Sequence, residues 1–187
     1  MHYAIDKSRL LGVRQNDSPN QGDRPPAEVI NLLVIHNISL PPGEFGTPCV
    51  EQLFSNSLNP DSHPYFKEIA QLRVSAHLFI ARDGSVVQFV PFDKKAWHAG
   101  QSEFCGRSNC NDFSIGIELE GTDHVYFTDV QYTVLADVTL ALMQAFPSLI
   151  LERIVGHSDI APGRKTDPGP CFDWNRYRSL LQDQIRT

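Results

Sequence analysis

Val29-Ile30-Asn31-Leu32-Leu33-Val34-Ile35, followed at once by His36, is the stretch on which the fold turns. Apart from Asn31 it is apolar at odd and even positions alike. That pattern belongs to a strand covered on both faces in the middle of a sheet, not to one with a wet side. We expect it to end at His36, where the chain emerges into a loop. The flanking segments 15–28 and 37–48 are rich in Pro, Asn, Gly and Asp and read as loops.

Working outward, Ser114-Ile115-Gly116-Ile117-Glu118-Leu119-Glu120 alternates strictly. Ile115, Ile117 and Leu119 share one face, and Ser114, Gly116, Glu118 and Glu120 the other. Residues 76–90 hold two β-prone runs around Asp83-Gly84, a pair that favours a type I′ hairpin turn. Ile154-Val155 reads as a short strand ending at Gly156-His157. Short helices are expected over 49–58 and 65–72, and longer ones over 128–146 and 173–185. Thr128 and Gln131 have capping-box spacing, with Val130, Val134, Leu135, Val138, Leu142 and Phe146 as the inner stripe. In the last helix Asp173 is the N-cap, and Trp174, Tyr177, Leu181 and Ile185 face inward. The irregular stretch 91–112 holds Trp97, His98 and two cysteines, and loops of that length in compact domains are usually functional. The sum is an α/β (α+β) domain: a central mixed sheet of about five or six strands flanked by helices. One domain over 1–187, with its core over about 12–185, accounts for the whole length.

Composition removes several classes. With 41% apolar residues and 11 Phe the chain can bury a substantial core, which excludes global disorder. The 22 acidic and 16 basic side chains leave a net charge of -6, wrong for a nucleic-acid binder. No apolar run approaches a membrane span, and no signal peptide is visible at the start, so a cytoplasmic monomer is the expectation. Cys49, Cys105, Cys110 and Cys171 form no C-x-x-C pair and read as free thiols, although a Cys105–Cys110 bridge fits on spacing.

Chemistry concentrates in the histidines. Of seven, His2, His63 and His124 lie in polar segments and read as surface residues. His36 and His157 each follow an apolar strand run, and neighbouring strands of one sheet bring such ends together; singly, each also fits a hydrogen-bonded histidine at the core edge. After His157 comes Ser158-Asp159-Ile160-Ala161-Pro162-Gly163-Arg164-Lys165-Thr166-Asp167-Pro168-Gly169-Pro170, a proline-stiffened loop that returns Asp167 ten residues later. Two imidazoles and one carboxylate make a catalytic zinc set with a position left for water. Lys165 and Asp167 also fit an ordinary surface pair. Zinc lowers the pKa of its water to about 7, but the site still needs a base and a cation for the oxyanion. Glu118, above the small residues Gly116 and Ser114, is the candidate base, and Lys165 the candidate cation. A solvated strand face would explain Glu118 and Glu120 equally well.

Five blocks then resemble a known family: Leu33 to Ser39, Val74-Ser75-Ala76-His77, Ala96-Trp97-His98-Ala99-Gly100, Asn111 to Gly121, and Gly156 to Pro170. In order, over roughly residues 12–180, the chain resembles the zinc-dependent N-acetylmuramoyl-L-alanine amidases. It is closest to their cytoplasmic branch in Gram-negative bacteria, which recycles peptidoglycan. The resemblance implies the fold of the peptidoglycan recognition proteins, one Zn2+ on His36, His157 and Asp167, and Glu118 with Lys165 as the catalytic pair. Asp167 points to the recycling branch, since many other members carry Cys there. His77 aligns with a histidine that is not a ligand and reads as buried support. Asn37, Arg73, Trp97, His98 and Arg164 are implied around the substrate cleft, with Arg107 a weaker addition. The implied reaction cuts the amide between the lactyl group of 1,6-anhydro-N-acetylmuramic acid and L-alanine of the stem peptide. Water on the zinc, deprotonated by Glu118, attacks the carbonyl; Lys165 steadies the oxyanion; Glu118 returns a proton to the leaving amine. Arg73 and Arg164 suit the carboxylates of the stem, and Trp97 suits the bicyclic sugar or plain core packing.

Three other readings compete. A non-catalytic muropeptide receptor on the same fold would lack part of the zinc set. A wall-lytic amidase would want a secretion signal or a wall-binding module. A thiol hydrolase on Cys105 or Cys110 with His98 would ignore chelators.

Overall fold

Six strands build one mixed sheet in the computed structural model, which describes residues 3–185. They are β1 (Arg14–Gln15), β2 (Leu32–Ile38), β3 (Leu78–Ile80), β4 (Val86–Gln88), β5 (Ser114–Glu120) and β6 (Ile154–Gly156). The order across the sheet is β6-β2-β5-β3-β4-β1. β5 runs parallel to both β2 and β3, β6 parallel to β2, β1 parallel to β4, and β3 antiparallel to β4. Three two-stranded ribbons lie outside it, pairing Ile5–Asp6 with Arg9–Leu10, Gln21–Asp23 with Lys94–Ala96, and Glu103–Phe104 with Arg107–Ser108. The helices are α1 (Cys49–Phe54), α2 (Phe66–Ile69), α3 (Asp129–Ala145), α4 (His157–Ile160) and α5 (Trp174–Ile185).

The two faces of the sheet carry different chemistry. Leu33 and Ile35 of β2 and Ile115, Ile117 and Leu119 of β5 join one core with α3 and α5. On the other face Leu32 and Val34 pack with Ala99, Cys110, Phe113 and Ile160. A third cluster sets α1 and α2 against Phe79 and Val87. The central strand is therefore doubly covered, as its pattern requires, but its bounds shift. It begins at Leu32 and continues past His36 to Ile38. His36 is thus an interior strand residue, not a strand end; pairing with β5 out to Glu120↔Ile38 carries it further.

Other local expectations need correction. The 78–88 hairpin forms, but its turn is closed by Gly84 N–H donating to the Ala81 carbonyl at 3.0 Å. Arg82 and Asp83 are then the central residues and Gly84 follows at φ +84°, so the turn is not type I′. Helix α3 has the expected box: Gln131 N–H donates to Thr128 Oγ1, and Thr128 N–H to Gln131 Oε1. Leu135, Val138 and Leu142 are buried, whereas Val130 is 40% exposed. The helix is turned so that Gln131 points inward, its Nε2 donating to the Ile80 and Glu120 carbonyls at the strand ends. In α5 Tyr177 and Leu181 are buried and Arg176 N–H donates to Asp173 Oδ1, while Ile185 in the final turn is 52% exposed. The four thiols are free. His2 lies outside the described residues. No helix among the described residues is long and apolar enough to cross a membrane.

Candidate metal centre and cleft

Parallel register assembles the site. β5 pairs with β2 so that Glu118 lies opposite His36, and β6 pairs with β2 so that Gly156 lies opposite Ile35. His157, the next residue, opens α4 beside His36. The turn that follows α4 returns Asp167, whose carbonyl accepts from Ser158 N–H at 3.0 Å. Gly156 permits this approach, since a Cβ there would stand 2.7 Å from Pro168 Cδ.

His36 Nδ1, His157 Nδ1 and Asp167 Oδ2 form a triangle with each side 3.0 Å. Both imidazoles are buried and the carboxylate nearly so. His157 Nε2 stands 3.1 Å from the Ala99 carbonyl, which can only accept, so Nε2 carries a proton and Nδ1 is the nitrogen turned to Asp167. Two imidazole nitrogens and a carboxylate oxygen converging at this distance suit a shared cation. Ligands at zinc bond lengths of about 2.0–2.1 Å stand about 3.3 Å apart around a tetrahedral ion, close to the spacing here. The donor set therefore fits zinc. Burial drives His36 down to about 4, with the neighbouring Asp167 opposing, so the ring is neutral as a ligand must be. Burial alone would raise Asp167, but its contacts with His157 and His36 outweigh that and hold it below the usual carboxylate range.

The triangle opens into a cavity of about 620 Å3. Glu118, Asn37, Trp97, His98, Arg164 and Lys165 all line it, together with the apolar Leu53, Phe54, Ile69 and Leu72. Burial pushes the Glu118 carboxyl well above its ordinary range; Asp167 adds to this and Lys165 opposes it. Glu118 Oε2 is buried without a hydrogen-bond partner. Glu120 behaves differently: its carboxylate accepts from the Gly46 and Arg82 amides, so it ties two loops together and is no solvated face.

The remaining residues divide. Asn37 donates from Nδ2 to Asp123 Oδ1 at 2.8 Å and to the Pro168 carbonyl at 3.1 Å, spending both amide hydrogens on the turn that carries Asp167. Arg164 Nη2 donates to the Ala99 and Gln101 carbonyls. His77 is fully buried and supportive: its Nε2 faces the Lys94 carbonyl and its Nδ1 accepts from Gly116 N–H. Arg73 is exposed and does not line the cavity, although its neighbours Leu72 and Val74 do. Arg107 lies over the Phe113 ring and pairs with Glu28, away from the cavity. Sequence reasoning missed Asp123 and His124, which line the cavity from a loop whose polar composition carries no other signal.

Comparison with known proteins places the chain in a family. The family model for N-acetylmuramoyl-L-alanine amidase matches residues 25–170. The 1,6-anhydro-N-acetylmuramyl-L-alanine amidase AmpD of Escherichia coli K12 is 57% identical over 180 residues, 96% of this chain and 98% of that protein. A crystal structure of a selenomethionine AmpD derivative superposes with a TM-score of 0.92 at 56% identity, covering 95% of this chain and 98% of that one. The amidase AmiD of E. coli, solved with anhydro-N-acetylmuramic acid-L-Ala-D-gamma-Glu-L-Lys, gives a TM-score of 0.59 at 26% identity, covering 95% of this chain and 65% of that one. The matched span takes in the three converging ligand atoms and the strand that bears Glu118, and the chain belongs to the N-acetylmuramoyl-L-alanine amidase family.

Proposed function

We propose that this chain is a zinc-dependent amidase of cytoplasmic peptidoglycan recycling. It cuts the bond between the lactyl group of 1,6-anhydro-N-acetylmuramic acid and L-alanine of the stem peptide. The observation that carries the reading is the 3.0 Å triangle of His36, His157 and Asp167 beside the half-buried Glu118, whose Oε2 is enclosed without a partner, in a cavity of about 620 Å3. The substrates named for AmpD and for the AmiD complex support the choice of amide.

His36, His157 and Asp167 would hold the ion, which when bound supplies an acidified water and Lewis acidity at the scissile carbonyl. Glu118 takes the proton of the attacking water. Its raised affinity for that proton lets it carry the proton to the scissile nitrogen as the C–N bond breaks, so that the neutral amine departs. Lys165, exposed on the loop between Arg164 and Asp167, offers its ammonium to the oxyanion. Trp97 and the ring of His98 form the floor against the sugar. Asn37 orients the ligand turn at the same edge. Arg164, and Arg73 exposed on the rim, offer guanidinium groups to the carboxylates of the stem. Every residue named comes from one chain, so a monomer is sufficient.

Mass spectrometry of the products from an anhydro-muramoyl tripeptide and from intact sacculi tests the reading, with protein as purified, chelated, and reloaded with zinc. Release of tripeptide from the small substrate alone, lost on chelation and regained with zinc, is expected. Equal attack on sacculi would reassign the protein to wall lysis. Binding without cleavage would make it a receptor.

A further inference from the structure

A histidine ligates a metal through one nitrogen, and what its other nitrogen bonds to decides which one is available. For His157 the answer is the Ala99 carbonyl. His36 has neither carbonyl nor carboxylate in that role. Its Nε2 lies 2.9 Å from Nδ1 of a third imidazole, His98, with the rings edge-on at 85°. The far nitrogen of His98, Nε2, lies 3.0 Å from Ser114 Oγ. All three residues are buried. The His98 ring also lies directly over bare backbone: a Cβ on Gly116 would fall 2.5 Å from its Cγ and 2.6 Å from its Nδ1.

We propose that His98 is a positioning residue for the metal ligand His36, with its ring keyed by Ser114 and seated by Gly116. The inference rests on the reading of His36 as a zinc ligand. If His36 Nδ1 binds the ion, its proton is on Nε2, and His98 Nδ1 must accept it. His98 then carries its own proton on Nε2 and donates it to Ser114 Oγ. The protons run one way, from His36 to His98 to Ser114, and every ring nitrogen in the series has one defined role. Ser114 and Gly116 stand two apart on β5, so they share the face that looks toward His36. The serine fixes the outer end of the His98 ring, and the glycine leaves the space in which the ring lies. Both nitrogens of His98 being committed, its contribution to the cleft is the face and edge of its ring.

Zinc affinity measured by competition with a chromophoric chelator tests this, together with imidazole 15N spectra of the zinc-loaded wild type. His98→Leu removes the acceptor and is expected to weaken zinc about 10–100-fold. Gly116→Ala, which leaves the imidazole in place but denies it its seat, is expected to weaken zinc in the same direction. His98→Asn returns an acceptor oxygen near the Nδ1 position and is expected to recover part of the loss, which a purely space-filling role would not allow. The spectra are expected to show His36 and His98 each protonated at Nε2 alone. A proton on His98 Nδ1 would overturn the proposal even if the variants fail to fold. So would zinc affinity of His98→Leu within about twofold of wild type. Wild-type protein that takes up no zinc would overturn the metal reading as well; zinc binding that ignores His98 would overturn the positioning role alone.

Discussion

Glu118→Gln separates chemistry from stability in one substitution. The side chain is half-buried beside Asp167 with its Oε2 enclosed and without a hydrogen-bond partner, and desolvation raises its pKa well above the ordinary value. A carboxyl raised in the folded state holds its proton more tightly there than in the unfolded chain. Its stabilising contribution is therefore complete below the unfolded value of 4.5 and is lost as pH rises toward the folded one. The amide does not titrate, so in zinc-free protein the variant should pull ahead of wild type as pH climbs above about 4.5. The ionised carboxylate, enclosed without a partner, carries a penalty beyond that of the neutral amide, of about 1–3 kcal/mol. At about 2–4 °C per kcal/mol for a chain of this size, that gap is roughly 2–12 °C in Tm. Loss of a general base is expected to lower kcat about 10²–10⁴-fold with the zinc ligands untouched. The assay is urea denaturation from pH 5 to 8 in chelator, with zinc content and turnover measured on the same preparations. Bound zinc should narrow the stability gap, since a cation beside Glu118 favours its charged form. Parallel stability curves for the two proteins would refute the account of burial, and near-normal kcat would refute the role of base.

Three further outcomes are expected. Asp167→Ala should lose zinc and turnover together, measured as metal content and tripeptide release; turnover surviving without zinc would remove the metal from the reaction. Gly169→Ala asks for a side chain at φ +81° with its Cβ 2.5 Å from Asp123 Cα. The left-handed backbone costs about 1–2 kcal/mol and overpacking about 1–3 kcal/mol; with Asp123 displaced, Asn37 loses a partner and zinc affinity should fall too. A urea melt within about 0.5 kcal/mol of wild type would show that this turn is not pinned. Tyr177→Phe deletes the buried hydrogen bond of 2.7 Å between Tyr177 and Thr139 and leaves the threonine alone, so stability should drop by about 1–3 kcal/mol with kcat unchanged.

Much of this was legible before the fold was known, for reasons that can be stated. Strict alternation in 114–120 is decisive because a strand has only two faces, and Ile115, Ile117 and Leu119 leave no doubt which one is inner. The convergence of His36, His157 and Asp167 was readable because each histidine follows an apolar run and a proline-stiffened loop returns an aspartate. What stayed hidden depends on pairing. The extension of β2 past His36 is a property of its ladder with β5, since Asn37 and Ile38 look like loop residues by composition. Gln131 gave no sign that it would turn inward, because the carbonyls it satisfies belong to Ile80 and Glu120, far away in sequence. Asn37 lines the cavity, and its amide hydrogens are held by Asp123 and Pro168, partners no local pattern announces. Glu120 shows the limit of alternation: it has the right parity for solvent and is buried by loops that fold over the strand end.

The placement of His36 inside a strand has a consequence for how the site is specified. A ligand on a loop can be moved by the loop, but His36 is fixed by its pairing with Glu118 on one side and by Ile35 opposite Gly156 on the other. A slip of one residue in either ladder would send His36 or Glu118 to the α3 face and bring an isoleucine or leucine into the cleft. That exchange would bury two ionisable groups in the core that Ile35, Ile117 and Leu119 now fill, at a cost far above the margin that holds a domain together. The hydrophobic face therefore enforces the register of the chemical face. Only Asp167 is left to a turn, and that turn is tied to β2 by Asn37, to Asp123 by the close approach of Gly169, and to α4 by the Ser158 amide. Variants that loosen these ties should lower zinc affinity before they lower the stability of the sheet, because the ties act on the one member of the triangle that lies in neither a strand nor a helix.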